Sequence, residues 1–363
     1  MTSLFDPMSF LRGPAMKNRL MLAPLTNTQS HADGMLSDDE FNWLVMRAKG
    51  GFGLTMTCAA HVQRQGQGFP GQLGVWDDRH IAGLSRLAAA IKREGSVASV
   101  QLHHAGSRAP AGLIGETPHA PSDDAEAGAR GLTTSEVERL RDDFIAAAKR
   151  AEKAGFDGVE LHGAHGYILC AFISPGTNRR EDKYGGSPEN RARLLHEIIA
   201  GVRAATRRDF QLGVRLSPER FGLKLAEVQA VARTLLAEGK IDFLDMSLWD
   251  IRKKPVEEEF QNRSLMSYFT ELPRAGVRLG VAGKVLATKD AQYCLDESCD
   301  YVLIGRGAIV HHDWPKLARN PDFEPIPRPV SAAWLKKEGL SDRFLDYMRE
   351  TFKHFVAEDS DAA

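Results

Sequence analysis

The sequence predicts an α/β protein, a single (β/α)8 TIM barrel, on three observations. Short apolar segments alternate with helical ones eight times without a break. The apolar segments are mostly continuous rather than alternating, as strands covered on both faces are. Polar residues then collect just where several of these segments end, which in such barrels is where chemistry is placed. A length of 363 residues suits one barrel with insertions as well as two ordinary domains, but there is neither an internal repeat nor a low-complexity linker. One domain over 1–363 is therefore expected, with the barrel over about 20–318 and a tail over about 319–363.

Residues 1–19, punctuated by Pro7 and Pro14, read as a cap before the barrel. Strands are expected near 20–25, 53–59, 97–103, 158–163, 211–216, 242–247, 279–282 and 301–305. The helices between them carry their own signals. Ser37 with Glu40 forms a capping box ahead of Phe41–Lys49, and Thr133 with Glu136 another ahead of Leu140–Ala154. Leu84, Leu87, Ala88 and Ile91 keep helical spacing, as do Val228, Val231 and Leu235. Ser187 is a helix N-cap with Pro188 at the first helical position, and Leu194, Ile198 and Val202 continue one face.

Two segments exceed the plain barrel. Residues 105–132, rich in Ala, Gly and Pro, are too long for a simple turn and follow the third strand, so they read as a lid or substrate loop. The tail from about Pro321 opens with four prolines and ends in an amphipathic helix over Ser341–Phe355. Packing under the barrel or contact with a second subunit are the roles expected for it.

Composition sets limits on function. Hydrophobic residues make up 43% and charged residues 26%, as in soluble globular proteins. Lys and Arg (47) nearly cancel Asp and Glu (48), so no strong field invites nucleic acid or an anionic membrane. No signal-peptide core opens the chain and no run approaches a membrane span. The four cysteines match no zinc or iron–sulfur spacing; Cys294 and Cys299 are expected on one helix, and a reducing cytoplasm is the expected compartment.

The chemistry concentrates in residues 158–191, GVELHGAHGYILCAFISPGTNRREDKYGGSPENR, where His162, His165 and Tyr167 end a strand. Two imidazoles three positions apart can face one acceptor, and a phenol two positions further can offer a proton from another side. That is a kit for polarising a carbonyl oxygen and protonating the neighbouring carbon; a metal pair and a rim tyrosine are the competing readings. Gln101, inside an apolar strand, must find hydrogen-bond partners. Arg215 at the end of the fifth strand needs an anionic or strongly polar one, with a structural ion pair as the alternative. His103 and His104 read as structural or rim residues. Gly283 and Gly305-Arg306 end the last two strands, where freed backbone amides, an Arg and a helix N-terminus make a phosphate cradle.

The run from His162 through Asn178, Arg179, Arg180, Asp182, Tyr184, Gly185, Gly186, Asn190 and Arg191 resembles the signature of the Old Yellow Enzyme family of FMN-dependent ene-reductases, and the resemblance extends from about Leu4 to about Ala318. It implies FMN as cofactor, NADPH or NADH as reductant, and an activated alkene as small-molecule substrate. By the resemblance, the backbone of Pro24, Leu25 and Thr26 touches the flavin, with the Thr26 hydroxyl near its C4 carbonyl and N5. Ala60 allows close approach to the flavin edge, Gln101 meets its pyrimidine edge, Arg215 its N1 side, and Gly283, Gly305 and Arg306 its phosphate. His162 and His165 would bind the substrate carbonyl, and Tyr167 would protonate the α-carbon while hydride passes to the β-carbon. Thr26 stands where one branch has a redox-modulating Cys, and Thr28 where that branch has an aromatic. A homo-oligomer is compatible with the resemblance. Oxidative demethylation or dehydrogenation within the same fold is the first alternative. A metal-dependent barrel hydrolase built on His103, His104, His162 and His165 is the second.

Overall fold

A computed structural model describes residues 2–357. Eight parallel strands close a barrel: β1 (Leu20–Leu22), β2 (Leu54–His61), β3 (Val97–His103), β4 (Gly158–Gly163), β5 (Gln211–Leu216), β6 (Phe243–Ser247), β7 (Arg278–Ala282) and β8 (Tyr301–Ile304). Each pairs with its neighbours in sequence, and β1 closes on β8 with Leu20, Met21 and Leu22 opposite Val302, Leu303 and Ile304. The first strand is shorter than expected. Pro24 has no N–H for the ladder, so the pairing stops after the Ala23 N–H reaches the Ile304 carbonyl at 3.1 Å.

The principal helices are α1 (Asp38–Lys49), α2 (Ile81–Arg93), α3 (Thr134–Lys153), α4 (Pro188–Ala205), α5 (Leu225–Glu238) and α6 (Thr288–Asp296). The capping box before α3 is complete, and Ser187 caps α4 by accepting from the Asn190 N–H. At α1 only half the expected box forms. Ser37 accepts from the Glu40 N–H, but the Glu40 carboxyl turns inward to Asn27, Ser30 and Cys58. The sixth crossover departs from the alternation: a 3-10 turn at Glu258–Phe260 and one turn at Ser267–Thr270 replace a full helix, in a stretch broken by Pro255 and Pro273. Cys294 lies on α6, but Cys299 lies beyond its end, past Ser298 in the left-handed region, so the two do not share a helix.

Inside the barrel, Met21, Leu54, Met56, Val97, Phe243, Tyr301 and Leu303 pack with Met8 and Met16. The last two belong to the N-terminal cap, which folds back on itself through paired Met8–Met16 backbone bonds of 3.0 and 2.9 Å. It seals the amino-terminal end of the barrel, where Gln211 donates to the Arg12 and Pro14 carbonyls. Among the described residues no helix is long and apolar enough to cross a membrane.

Two strand glycines give the interior its shape. A Cβ on Gly213 would fall 2.0 Å from the Phe243 ring, and one on Gly280 would fall 2.2 Å from the Tyr301 ring. Those aromatic rings fill space that side chains on β5 and β7 would otherwise occupy. Neither ring can swing aside, because both lie in the packed interior. Gly280→Ala is therefore expected to destabilise the fold by about 1–3 kcal/mol in a denaturant titration; an unchanged midpoint would contradict this packing.

Candidate functional site

The carboxyl ends of the strands carry two cavities, about 200 and 280 Å³, that share Pro24, Leu25, Arg215, Arg306 and Phe352. The first is walled by Thr26, Gln101, His103, His162, His165 and Tyr167, the second by Ser247, Trp249, Gly283 and Gly305. Nearly all the residues singled out in the sequence thus meet in one place.

Ala60 is the exception. It is fully buried and packs outward against the helical layer, whereas Ala59 reaches the cavity. The cause is an irregularity in β2 between Met56 and Ala59, which shifts the inward-facing set from Leu54 and Met56 to Ala59.

Alternation along the strands orders the site. On β3 the inward positions Gln101 and His103 lie two apart; on β4 they are Glu160 and His162; β5 contributes Arg215; β6 contributes Asp245 and Ser247. The upper row forms a chain of polar contacts. His103 Nδ1 lies 3.0 Å from His162 Nδ1, His162 Nε2 lies 2.8 Å from His165 Nδ1, and His165 Nε2 lies 2.6 Å from Ser247 Oγ. Arg215 donates to the same hydroxyl at 3.3 Å. Tyr167 stands against this row, its ring centroid 4.3 Å from that of His103 and 5.0 Å from that of His162. The Arg108 guanidinium covers the outer face of the phenol at 4.8 Å. His165 is held in the left-handed region (φ 63°), its N–H given to Ser217 Oγ at 2.9 Å.

Beneath lies a second polar row, buried but meeting the cavity at Gln101. Gln101 Nε2 donates to Glu160 Oε2 at 2.5 Å, and the Tyr301 hydroxyl donates to Asp245 Oδ1. Burial, and then the negative charge of Asp245, push the Glu160 carboxyl well above the usual range; burial also raises Asp245. Burial and mutual repulsion favour one proton held between the two carboxyls.

His103 and His104 separate. His104 turns away from the cavity, its Nδ1 accepting from the Gly106 N–H at 3.0 Å and its ring stacked on His119. His103 is a full member of the site, on the same face of β3 as Gln101; its position two residues on from Gln101 was the available signal. Among the described residues no group of three or more His, Cys, Asp or Glu side chains is arranged to hold a metal ion. Of the four histidines of the hydrolase reading, His103, His162 and His165 lie in one row while His104 turns away.

The polar run after His165 holds the scaffold instead of lining the cavities. Arg180 pairs with Asp182 at 2.6 Å and donates to the Pro121 and Leu132 carbonyls of the 105–132 segment. Arg179 N–H donates to Ser122, and Thr134 donates to Asp182. Asn178 ties Phe172 to Tyr184, while Arg191 binds the Ile173 carbonyl and Glu227. The segment expected to be a lid is thus fastened at its far end by a two-residue parallel strand pair, His119–Ala120 with Arg130–Gly131, and by these arginines.

Of the two roles expected for the tail, packing under the barrel does not hold. The tail lies across the top of the barrel, and its helix Asp342–Thr351 brings Tyr347 and Met348 to the cavity, followed by Phe352. Gln29 accepts from the Ser341 N–H at 3.0 Å, and Phe344 packs edge-on against Trp43. Burial raises the Tyr347 phenol, and Thr26 offsets part of that.

Burial also governs the imidazoles. It holds His165 and His104 down to about 3 and His61 and His80 down to about 4, and it places His103 and His162 well below the ordinary value. These six take up a proton in the unfolded chain below about 6.5 but not in the folded one until far lower pH. The unfolded state then holds more protons, so stability must rise with pH through that window. The buried carboxyls Glu40, Glu160 and Asp245, raised by burial, act in the opposite sense but are fewer. From pH 5 to 6.5 the unfolding free energy is expected to climb by at least about 1 kcal/mol per pH unit, the weight of one proton. A urea midpoint that is flat or falls over this range would overturn the neutral-imidazole assignment.

The chain matches the model of the NADH:flavin oxidoreductase / NADH oxidase family over residues 3–321. It is 36% identical over 322 residues to a probable NADH-dependent flavin oxidoreductase, YqiG, of Bacillus subtilis, covering 86% of each chain. It is 34% identical over 339 residues to an NADPH dehydrogenase of Bacillus licheniformis, covering 91% of this chain and 98% of that one. In structure it is similar to an Old Yellow Enzyme homologue from Zymomonas mobilis, with a TM-score of 0.79 at 29% identity over 94% of this chain and 99% of that chain.

Proposed function

Because the chain belongs to the NADH:flavin oxidoreductase / NADH oxidase family, that of Old Yellow Enzyme, and is an NAD(P)H-dependent FMN oxidoreductase, we propose that it reduces activated alkenes, foremost α,β-unsaturated carbonyl compounds. The observation that carries this reading is the juxtaposition of two neutral imidazoles, His162 and His165, with the Tyr167 phenol in one cavity beside Gln101 and Arg215.

The residues present suit FMN. Arg215 Nε is buried with no partner, and Gln101 brings a buried carboxamide to the same cavity, so both have capacity for the polar edge of a flavin ring. Pro24, Leu25, Thr26 and Ala59 supply the remaining wall, and Gly283, Gly305 and Arg306 in the adjoining cavity suit a phosphate. FMN held by these residues would supply the hydride transfer, from NAD(P)H to the substrate β-carbon.

The chain's own residues do the rest. His162 and His165 are kept neutral by burial; a substrate oxygen that displaces the contact between His162 Nε2 and His165 Nδ1 would meet those two ring nitrogens, whose N–H groups then stabilise charge as it develops there. Arg215 and Ser247 orient His165 from behind. Tyr167 gives a proton to the α-carbon as the general acid. Phe69, Tyr347, Met348 and Phe352 exclude water from the same space.

Anaerobic stopped-flow measurement of the two half-reactions tests the assignment. Tyr167→Phe should leave flavin bleaching by NAD(P)H intact and slow reoxidation by an enone about 10²–10⁴-fold. His162→Ala should slow the same step by about 10²–10³ and weaken enone binding. Equal enone reoxidation in Tyr167→Phe and the parent protein would remove the phenol from the mechanism, and failure of the parent to be reoxidised by any enone would remove alkene reduction itself.

A further inference from the structure

The sealed carboxyl pair Glu160–Asp245 has no part in the chemistry above, and such a pair is costly to bury without a purpose. Both side chains are fully buried, at 0% exposure. The known contacts leave only Glu160 Oε1 and Asp245 Oδ2 without another donor, which are the oxygens free to share one proton. With Glu160 protonated, donors run in one direction, from Gln101 to Glu160 to Asp245, and Tyr301 donates to Asp245 from the other side. The pair then carries a single negative charge. Its register places that charge against the one cation deep in the site: Arg215 lies opposite Asp245 on β6 and opposite His162 on β4.

Gln101 and Arg215 both line the cavity and both touch or face the pair, so the charge in the cavity and the charge on the pair are coupled across a few ångströms of low-dielectric interior. With oxidised FMN, Arg215 and the pair cancel. Reduction by NAD(P)H brings two electrons and one proton as hydride, which adds one negative charge to the cavity. Arg215 cannot cancel both.

We propose that the Glu160–Asp245 pair is a redox-linked proton store: it takes one further proton from solvent when the bound FMN is reduced and releases it when hydride passes to substrate. The balance is one hydride from NAD(P)H to the cofactor and one water-derived proton to the pair, then one hydride out to the substrate carbon and that proton back to water. Glu160 and Asp245 act through Gln101 and Arg215 and are positioning residues, not catalytic ones. The inference rests on FMN binding as assigned above.

Other titratable groups near the pair are few. Tyr301 faces it from β8, His162 and His103 lie one level above on β4 and β3, and Arg215 stands on β5. Met21, Met56 and Gly280 on β1, β2 and β7 carry no charge. Arg108 is exposed on the 105–132 segment and Arg306 is half-buried at the neighbouring cavity, so both are more screened than Arg215. Burial holds the two imidazoles neutral, which leaves the carboxyl pair as the proton acceptor.

The test is the midpoint potential of the FMN-loaded protein from pH 7 to 9, by equilibration with a reference dye, read as protons taken up per two electrons. The parent protein should take up two, and Glu160→Gln/Asp245→Asn, which keeps the shapes but replaces each ionisable carboxyl by an amide, should take up one. One proton in the parent, or two in the double variant, overturns the proposal. Should the double variant fail to fold, the reduced-minus-oxidised infrared spectrum of the parent decides: a gained protonated-carboxyl C=O band supports the store, and its absence refutes it. A parent protein that binds no FMN would instead remove the functional reading on which the proposal stands.

Discussion

The row Gln101–Glu160–Asp245–Tyr301 is the constraint on which the site depends. A barrel interior is ordinarily filled with apolar side chains, and four polar ones in a buried layer require every donor and acceptor to be matched. Here the matching needs one shared proton and two glycines. Gly280 yields its side-chain space to Tyr301, which can then reach Asp245, and Gly213 yields to Phe243 one layer below. Removing any one member would leave a buried carboxyl oxygen or amide without a partner, at a cost of about 1–3 kcal/mol or more. The upper row of imidazoles inherits its geometry from this layer, because Gln101 and His103 share one strand and Glu160 and His162 another.

Around that floor the loops are held in uncommon backbone conformations. Thr28, His165, Arg220, Phe221, Trp249 and Lys284 all have positive φ and all follow carboxyl ends of strands. Such conformations persist only where neighbours over-determine them. For His165 the neighbours are visible: Ser217 takes its N–H, Arg108 donates to its carbonyl, and its ring is fixed between His162 and Ser247. The imidazole is therefore held at its backbone and through Nε2 at Ser247, and the Nδ1 it shares with His162 is the nitrogen a substrate oxygen would take over. Pre-organised donors of this kind are what stabilisation of developing charge asks for.

Much of this was legible in the sequence. Continuous apolar runs marked all eight strands, and Thr133-x-x-Glu136 and Ser187-Pro188 marked helix starts through local chemistry alone. What was not legible depended on non-local structure. Ala59 replaces Ala60 at the cavity because of an irregularity in β2 that no residue type announces. Glu40 leaves its capping role because Asn27, Ser30 and Cys58 offer better partners inside. The sixth crossover lost its helix to Pro255 and Pro273, a signal that was present and outweighed by the expectation of regular alternation. The tail could not be placed at all, since an amphipathic helix specifies that it covers something apolar without specifying what.

The residues that make the chain recognisable and the residues that line its cavities are largely different sets, and the physical reason is instructive. Asn178, Arg180, Asp182, Tyr184 and Arg191 sit in one loop between β4 and α4, and their side chains bind backbone carbonyls or each other. An arginine that satisfies two or three carbonyls of distant loops cannot be exchanged for another side chain, because only its planar fork reaches them together. A cavity wall is more tolerant, for an apolar contact can be remade by any residue of suitable size. The loop therefore fixes where the catalytic face stands, through Pro121 and Leu132 on one side and Ile173 on the other. The cavity itself is closed by Tyr347, Met348 and Phe352, which arrive from the far end of the chain. The placing of the cavity is thus carried by the polar clamp, and part of the cavity wall by a segment from the far end of the chain with no motif of its own.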